Sequence, residues 1–187
     1  MQNNLHKILS DNQVIPVVTI DNLDVIDEMI NTLVQKGIAC IEVTLRTNIA
    51  WEAIAYIQEH YKHKILVGVG TVINVNQIKK CIDREVDFMV SPGFSPRLLE
   101  ACLKTDIPFL PGVSSASDII YCQENGFNFL KFYPAQLNGG IKALTNFLAV
   151  FPEVKFCATG GINEDNFEQY LQLDNVLAVG GSWLLKK

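Results

Sequence analysis

The chain has 187 residues, 49% hydrophobic and 19% charged, which suits one well-filled domain over residues 1–187 and leaves too little chain for two. A formal net charge of -5, with no basic stripe beyond the pairs Lys79-Lys80 and Lys186-Lys187, argues against a nucleic-acid surface and for a small-molecule partner. No apolar stretch approaches the length of a membrane span and residues 1–12 lack the apolar run of a signal peptide, so the sequence reads as a soluble, cytoplasmic protein with no membrane partner.

In chain order, the opening segment predicts a short helix at about 3–10 whose Leu5 and Leu9 plug one end of the fold. Short β-rich runs then alternate with helical patterns, at 14–20, 39–45, 65–72, 88–91, 108–113, 129–133, 154–159 and 176–179. Between the first two, Leu23, Ile26, Ile30, Leu33 and Val34 recur at helical spacing, with Asn22 as a candidate cap and Gly37 at the C-terminal end. Ser95-Pro96 opens another helix with a cap and an N1 proline, Ser115 with Asp118 opens a second, and Asn163 with Glu164 and Asp165 a third.

Apolar strands linked by helices, with no composition break, predict an α/β fold: a parallel (β/α)8 TIM barrel. An open doubly wound sheet is the alternative, but its nucleotide-binding glycines are absent from the first strand-helix turn, Thr19-Ile20-Asp21-Asn22. Only Gly180-Gly181-Ser182-Trp183-Leu184-Leu185-Lys186-Lys187 follow the last run, so the last outer helix is predicted to be truncated or missing.

Chemistry in such a barrel collects where the strands end. The run Phe129-Leu130-Lys131-Phe132-Tyr133-Pro134 sets an ammonium in an apolar strand. Two readings compete equally for it at this point: a Schiff-base lysine, since an apolar wall raises the neutral fraction that attacks a carbonyl, and a structural ion pair. Alternation along Ile41-Glu42-Val43-Thr44-Leu45-Arg46 places Glu42, Thr44 and Arg46 on one face, so Glu42 points inward to meet Lys131 and Arg46 stands at the rim. Both readings share that geometry. The rest of the mouth favours catalysis, since Thr71, the Ser91-Pro92-Gly93 turn and Arg46 offer hydroxyl, backbone and guanidinium groups to a small carboxylate.

The turns Thr159-Gly160-Gly161 and Gly180-Gly181-Ser182 carry paired glycines after the last two strands, where a phosphate is often held; tight turns alone would also use glycine. The five cysteines form no CxxC pair and read as reduced core thiols. His60 and His63 lie near a helix C-terminus and form no metal site.

Taken together, Glu42-Val43-Thr44-Leu45-Arg46-Thr47, Gly68-Val69-Gly70-Thr71-Val72, Ser91-Pro92-Gly93, Ile107-Pro108-Phe109-Leu110-Pro111-Gly112, Lys131-Phe132-Tyr133-Pro134-Ala135, Thr159-Gly160-Gly161-Ile162 and Gly180-Gly181-Ser182-Trp183-Leu184 resemble the class I 2-keto-3-deoxy-6-phosphogluconate aldolases, also described as 4-hydroxy-2-oxoglutarate aldolases. The resemblance covers nearly the whole chain. It implies a lyase that cleaves 2-keto-3-deoxy-6-phosphogluconate to pyruvate and glyceraldehyde 3-phosphate, and 4-hydroxy-2-oxoglutarate to pyruvate and glyoxylate. It further implies an imine at Lys131, acid/base work by Glu42, a pyruvate site at Arg46, Thr71, Pro92 and Tyr133, and a phosphate site at Thr159, Gly160, Gly161, Gly181 and Ser182. No metal or other cofactor is implied, and the assembly implied is a homotrimer. Two departures stand out: Tyr133 where relatives often carry Phe, and Gln136 where Glu is common. The competing functions are a phosphosugar isomerase or epimerase and a catalytically silent binding barrel.

Overall fold

The computed structural model describes residues 2–185. Its strands are β1 (Val14–Val18), β2 (Cys40–Thr44), β3 (Leu66–Gly70), β4 (Phe88–Val90), β5 (Phe109–Leu110), β6 (Gly112–Val113), β7 (Phe129–Phe132), β8 (Lys155–Thr159) and β9 (Val176–Gly181). All pair in parallel, in the order β5-β4-β3-β2-β1-β9-β8-β7-β6. The two ends of this order, β5 and β6, are halves of one stave interrupted at Pro111. The first half pairs with β4 and the second with β7, so the sheet closes on itself as a parallel α/β barrel. The single run expected at 108–113 is thus one stave in two pieces.

The helices are α1 (Gln2–Asp11), α2 (Ile26–Gln35), α3 (Ala50–Tyr61), α4 (Val75–Asp83), α5 (Pro96–Cys102), α6 (Ala116–Glu124), α7 (Gly140–Val150) and α8 (Phe167–Leu171). Apolar side chains on the outer strand faces, among them Ile41, Val43, Val67, Val69, Met89, Leu130, Phe132 and Phe156, pack with Ile30, Leu33, Ile54, Ile57, Ile78, Leu98, Ile119 and Leu144 from α2–α7. A second cluster fills the barrel's N-terminal end: Leu5 and Leu9 of α1 meet Ile15, Cys40, Phe88, Val90, Leu110, Cys157 and Ala178. The predicted plug therefore exists.

Side-chain caps account for the starts of α4, α5 and α6. Ser95 accepts from the Leu98 amide, with Pro96 at N1, and Ser115 forms a capping box with Asp118. Asn74 and Gln77 make the same box at α4. Asn22 caps a 3-10 turn, Leu23–Val25, that leads into α2, and Gly37 has φ +78° after it. The Asn163 signal differs from expectation: its side chain accepts from the Asp165 amide at 2.9 Å, closing a turn, and the helix begins only at Phe167. β9 runs to Gly181, two residues past the expected run, and is followed by one 3-10 turn, Trp183–Leu185. Among the described residues no α-helix follows β9; Lys186 and Lys187 lie outside them.

Leu9 is fully buried in the plug, so Leu9→Ala is expected to lower unfolding stability by about 2–5 kcal/mol. Urea titration followed by far-UV circular dichroism measures this.

Candidate active site

Around the barrel, β3, β4 and the β5/β6 stave separate β2 from β7 on one side, and β1, β9 and β8 on the other. The two strands face each other across the interior. Glu42 on β2 and Lys131 on β7 meet there: Lys131 Nζ lies 3.1 Å from Glu42 Oε1 and 3.3 Å from Oε2, and each side chain is only 6% exposed. The predicted inward pair is in place.

Small neighbours make that reach possible. In register with Lys131 stand Gly112 on β6 and Cys157 on β8, which itself pairs with Ala178. Beside Glu42 a Cβ on Gly70 would fall 2.2 Å from Oε1 and 2.6 Å from Cγ, so no larger residue leaves the carboxylate where it is. Gly68, in register with Glu42, gives way to the Phe88 ring, whose nearest atom would lie 2.1 Å from an added Cβ. The ring roofs the plug and floors the ion pair. On the open side, Lys131 Nζ sits 5.3 Å from the centroid of Tyr133.

The mouth is built from the strand ends. Thr71, after β3, holds φ +63°, a left-handed conformation that costs a β-branched residue about 1–3 kcal/mol. In the Ser91-Pro92-Gly93 turn the Ser91 hydroxyl donates to the Gly93 carbonyl. Gly112 admits this turn, since a Cβ there would approach the Pro92 carbonyl carbon to 2.3 Å.

A cavity of about 790 Å³ opens on the same end, lined by Arg46, Tyr133, Thr159, Gly160, Gly161, Gly181 and Ser182, all anticipated from the sequence. Thr71 and Pro92 stand at the neighbouring ends of β3 and β4. Glu42 and Lys131 lie deeper, in the barrel. The cavity extends outward past Val18, Met29 and Thr32 of α2, and Leu184, along the β1–β9 side of the mouth.

Gly160 and Gly161 have φ +96° and +82°, which already demand glycine. They are also crowded: the Gln136 backbone N–H donates to the Gly160 carbonyl at 3.0 Å, and a Cβ on Gly161 would come within 2.5 Å of Gln136 Cγ. Gln136 thus braces this turn. Trp183 braces the other, its ring 2.1 Å from where a Gly181 Cβ would be.

Thr19, also in the cavity wall, is a residue that motif reasoning passed over. Its hydroxyl lies 2.8 Å from that of Thr44, which donates to the Val18 carbonyl at 3.0 Å. The alternation of Ile15, Val17 and Thr19 along the first strand was the available signal.

Cys157 borders the ion pair, yet burial is the chief cause pushing its thiol up to about 12; the Lys131 charge opposes this and that of Glu42 adds to it. Cys81, Cys102 and Cys122 are likewise pushed up to about 12, and Cys40 is raised, chiefly by burial. Higher pKa means less thiolate at any working pH. Iodoacetamide at pH 8 is therefore expected to leave all five cysteines unmodified in the folded protein and to alkylate all five in urea, as read by intact mass.

Among the described residues no three His, Cys, Asp or Glu side chains gather as metal ligands. His60 stacks on Tyr56 at 4.1 Å and bonds the Tyr56 carbonyl through Nδ1 at 2.9 Å. No described helix is long and apolar enough to cross a membrane.

The family model for KDPG and KHG aldolase matches residues 5–187. The KHG/KDPG aldolase of Escherichia coli K12 is 40% identical over 178 residues, covering 95% of this chain and 83% of the relative. The 2-dehydro-3-deoxy-phosphogluconate aldolase of Dickeya dadantii is 40% identical over 179 residues, 96% of this chain and 84% of the relative. Among solved structures, Legionella pneumophila KDPG aldolase, with pyruvate captured as a covalent carbinolamine intermediate, superposes with TM-score 0.92 at 41% identity, covering 95% of this chain and 86% of that one. The Zymomonas mobilis enzyme with 3-phosphoglycerate gives 0.94 at 34% identity, covering 98% and 87%. A closed parallel barrel, a buried lysine set on a carboxylate across it, and these matches over nearly the whole chain place the protein in the KDPG and KHG aldolase family, whose members are class I aldolases.

Proposed function

We propose that Lys131 forms the imine in a Schiff-base aldolase that cleaves 2-keto-3-deoxy-6-phosphogluconate to pyruvate and glyceraldehyde 3-phosphate, and 4-hydroxy-2-oxoglutarate to pyruvate and glyoxylate. The observation that carries the proposal is the buried contact of 3.1 Å between Lys131 Nζ and Glu42 Oε1. A carboxylate so placed can take a proton from the lysine, leaving the amine lone pair free to attack.

The amine adds to the C2 ketone, and its nitrogen loses a proton as the oxygen gains one, giving a carbinolamine. Glu42, as acid, protonates the departing hydroxyl, which leaves as water, and an iminium remains. Glu42, now a carboxylate, takes the C4 hydroxyl proton while the C3–C4 electron pair moves into the iminium. That step releases the aldehyde and leaves an enamine. Protonation at C3 restores the iminium, and water hydrolyses it to pyruvate and the free lysine. The barrel interior supports each transfer by keeping bulk water from the pair, where electrostatic interactions are stronger.

Arg46 anchors the substrate carboxylate, with Thr71, Pro92 and Tyr133 around the three-carbon unit. Thr159, Gly160, Gly161, Gly181 and Ser182 take the phosphate through backbone amides and hydroxyls at the far side of the cavity. An isomerase or epimerase would have no use for a buried lysine seated on a carboxylate, and neither it nor a silent barrel is favoured.

Borohydride added with pyruvate is expected to reduce the imine and add one pyruvate-derived mass to Lys131 alone, as located by peptide mass spectrometry. Label on another lysine, or none, would remove the mechanism. Glu42→Gln should slow exchange of pyruvate methyl protons by about 10²–10⁴-fold while changing pyruvate affinity far less. Comparable losses in both would make Glu42 a structural partner only.

A single domain spanning residues 1–187, homotrimeric and cytoplasmic, completes the proposal. Light scattering should return three times the chain mass, and cell fractionation should recover the activity in the soluble cytoplasmic fraction.

A further inference from the structure

Thr44 is fully buried, and its hydroxyl has one proton. The Val18 carbonyl, 3.0 Å away, can only accept, so that proton goes to it. The 2.8 Å contact between Thr44 and Thr19 must then be made with the Thr19 proton. Thr19 Oγ1 is left with lone pairs alone to offer the cavity it lines. In that arrangement the Thr19 hydroxyl, which elsewhere turns to donate or accept, meets the cavity as an acceptor.

The complement of such an atom is a donor. Carboxylate, ketone and fully ionised phosphate have none, whereas the two substrate hydroxyls do. Thr19 follows β1, between β2, which leads to Arg46, and β9, which leads to Ser182. It therefore faces the stretch of substrate between carboxylate and phosphate. The C4 hydroxyl gives its proton to Glu42 during cleavage, which leaves the hydroxyl on C5.

We propose that Thr19 is a specificity-determining residue that accepts a hydrogen bond from the C5 hydroxyl of the phosphorylated sugar acid. This inference rests on the roles given above to Lys131, Glu42 and Arg46.

The test compares kcat/KM for 2-keto-3-deoxy-6-phosphogluconate and its 5-deoxy analogue in the unaltered chain, Thr19→Val and Thr19→Ser. The unaltered chain should prefer the hydroxylated substrate by about tenfold, the scale of one hydrogen bond. Thr19→Val, close to threonine in shape, should abolish that preference, and Thr19→Ser should keep it. No preference in the unaltered chain overturns the proposal without reference to any variant; so does a preference that survives in Thr19→Val. Pyruvate trapping separates the two levels of the argument. Trapping at Lys131 in both chains leaves the site reading intact whatever becomes of Thr19. Failure of trapping in the unaltered chain removes the site reading and the Thr19 proposal together.

Discussion

One ion pair organises this barrel. Lys131 and Glu42 are both nearly closed off from water, and a buried charge that loses its partner destabilises a protein by about 3–5 kcal/mol. The pair must therefore be matched, and the surrounding positions are chosen so that it can be. Gly70 yields space to the carboxylate, small residues stand in register with the lysine, and Phe88 with the α1 plug closes the cavity below. The polar centre is tolerable because a dry, filled floor lies on one side of it and an open mouth on the other.

That division explains why the two ends of the barrel use different chemistry. At the N-terminal end aliphatic and aromatic side chains pack without polar partners. At the other end, turns rich in glycine, proline and threonine bring backbone and hydroxyl groups together at close range. The same alternation that turns Ile41 and Val43 toward the helices turns Glu42 and Thr44 inward, so structural and chemical residues share one strand.

Much of this was legible in the chain because period-two alternation, helix caps and the α1 apolar pair are local signals. Glu42 opposite Lys131 followed from alternation and barrel closure alone. The break at Pro111, the late start of α8 and the crowding of Gly160 and Gly161 by Pro134 and Gln136 were not legible: each depends on which stave lies alongside. Glycines read as an anion cradle have packing and backbone reasons of their own here, and only the assembled loop displays these. Thr19 escaped notice for a related cause. A threonine at a strand end is unremarkable until a buried neighbour determines where its proton points.

Thr71 shows where the demands on this molecule conflict. Glycine or asparagine would adopt its left-handed backbone more comfortably, but neither brings a β-branched hydroxyl side chain to the rim. Selection for heat resistance alone would drift toward glycine or asparagine at this position. The residue therefore marks a spot where consensus-style stabilisation would remove the β-branched hydroxyl from the rim.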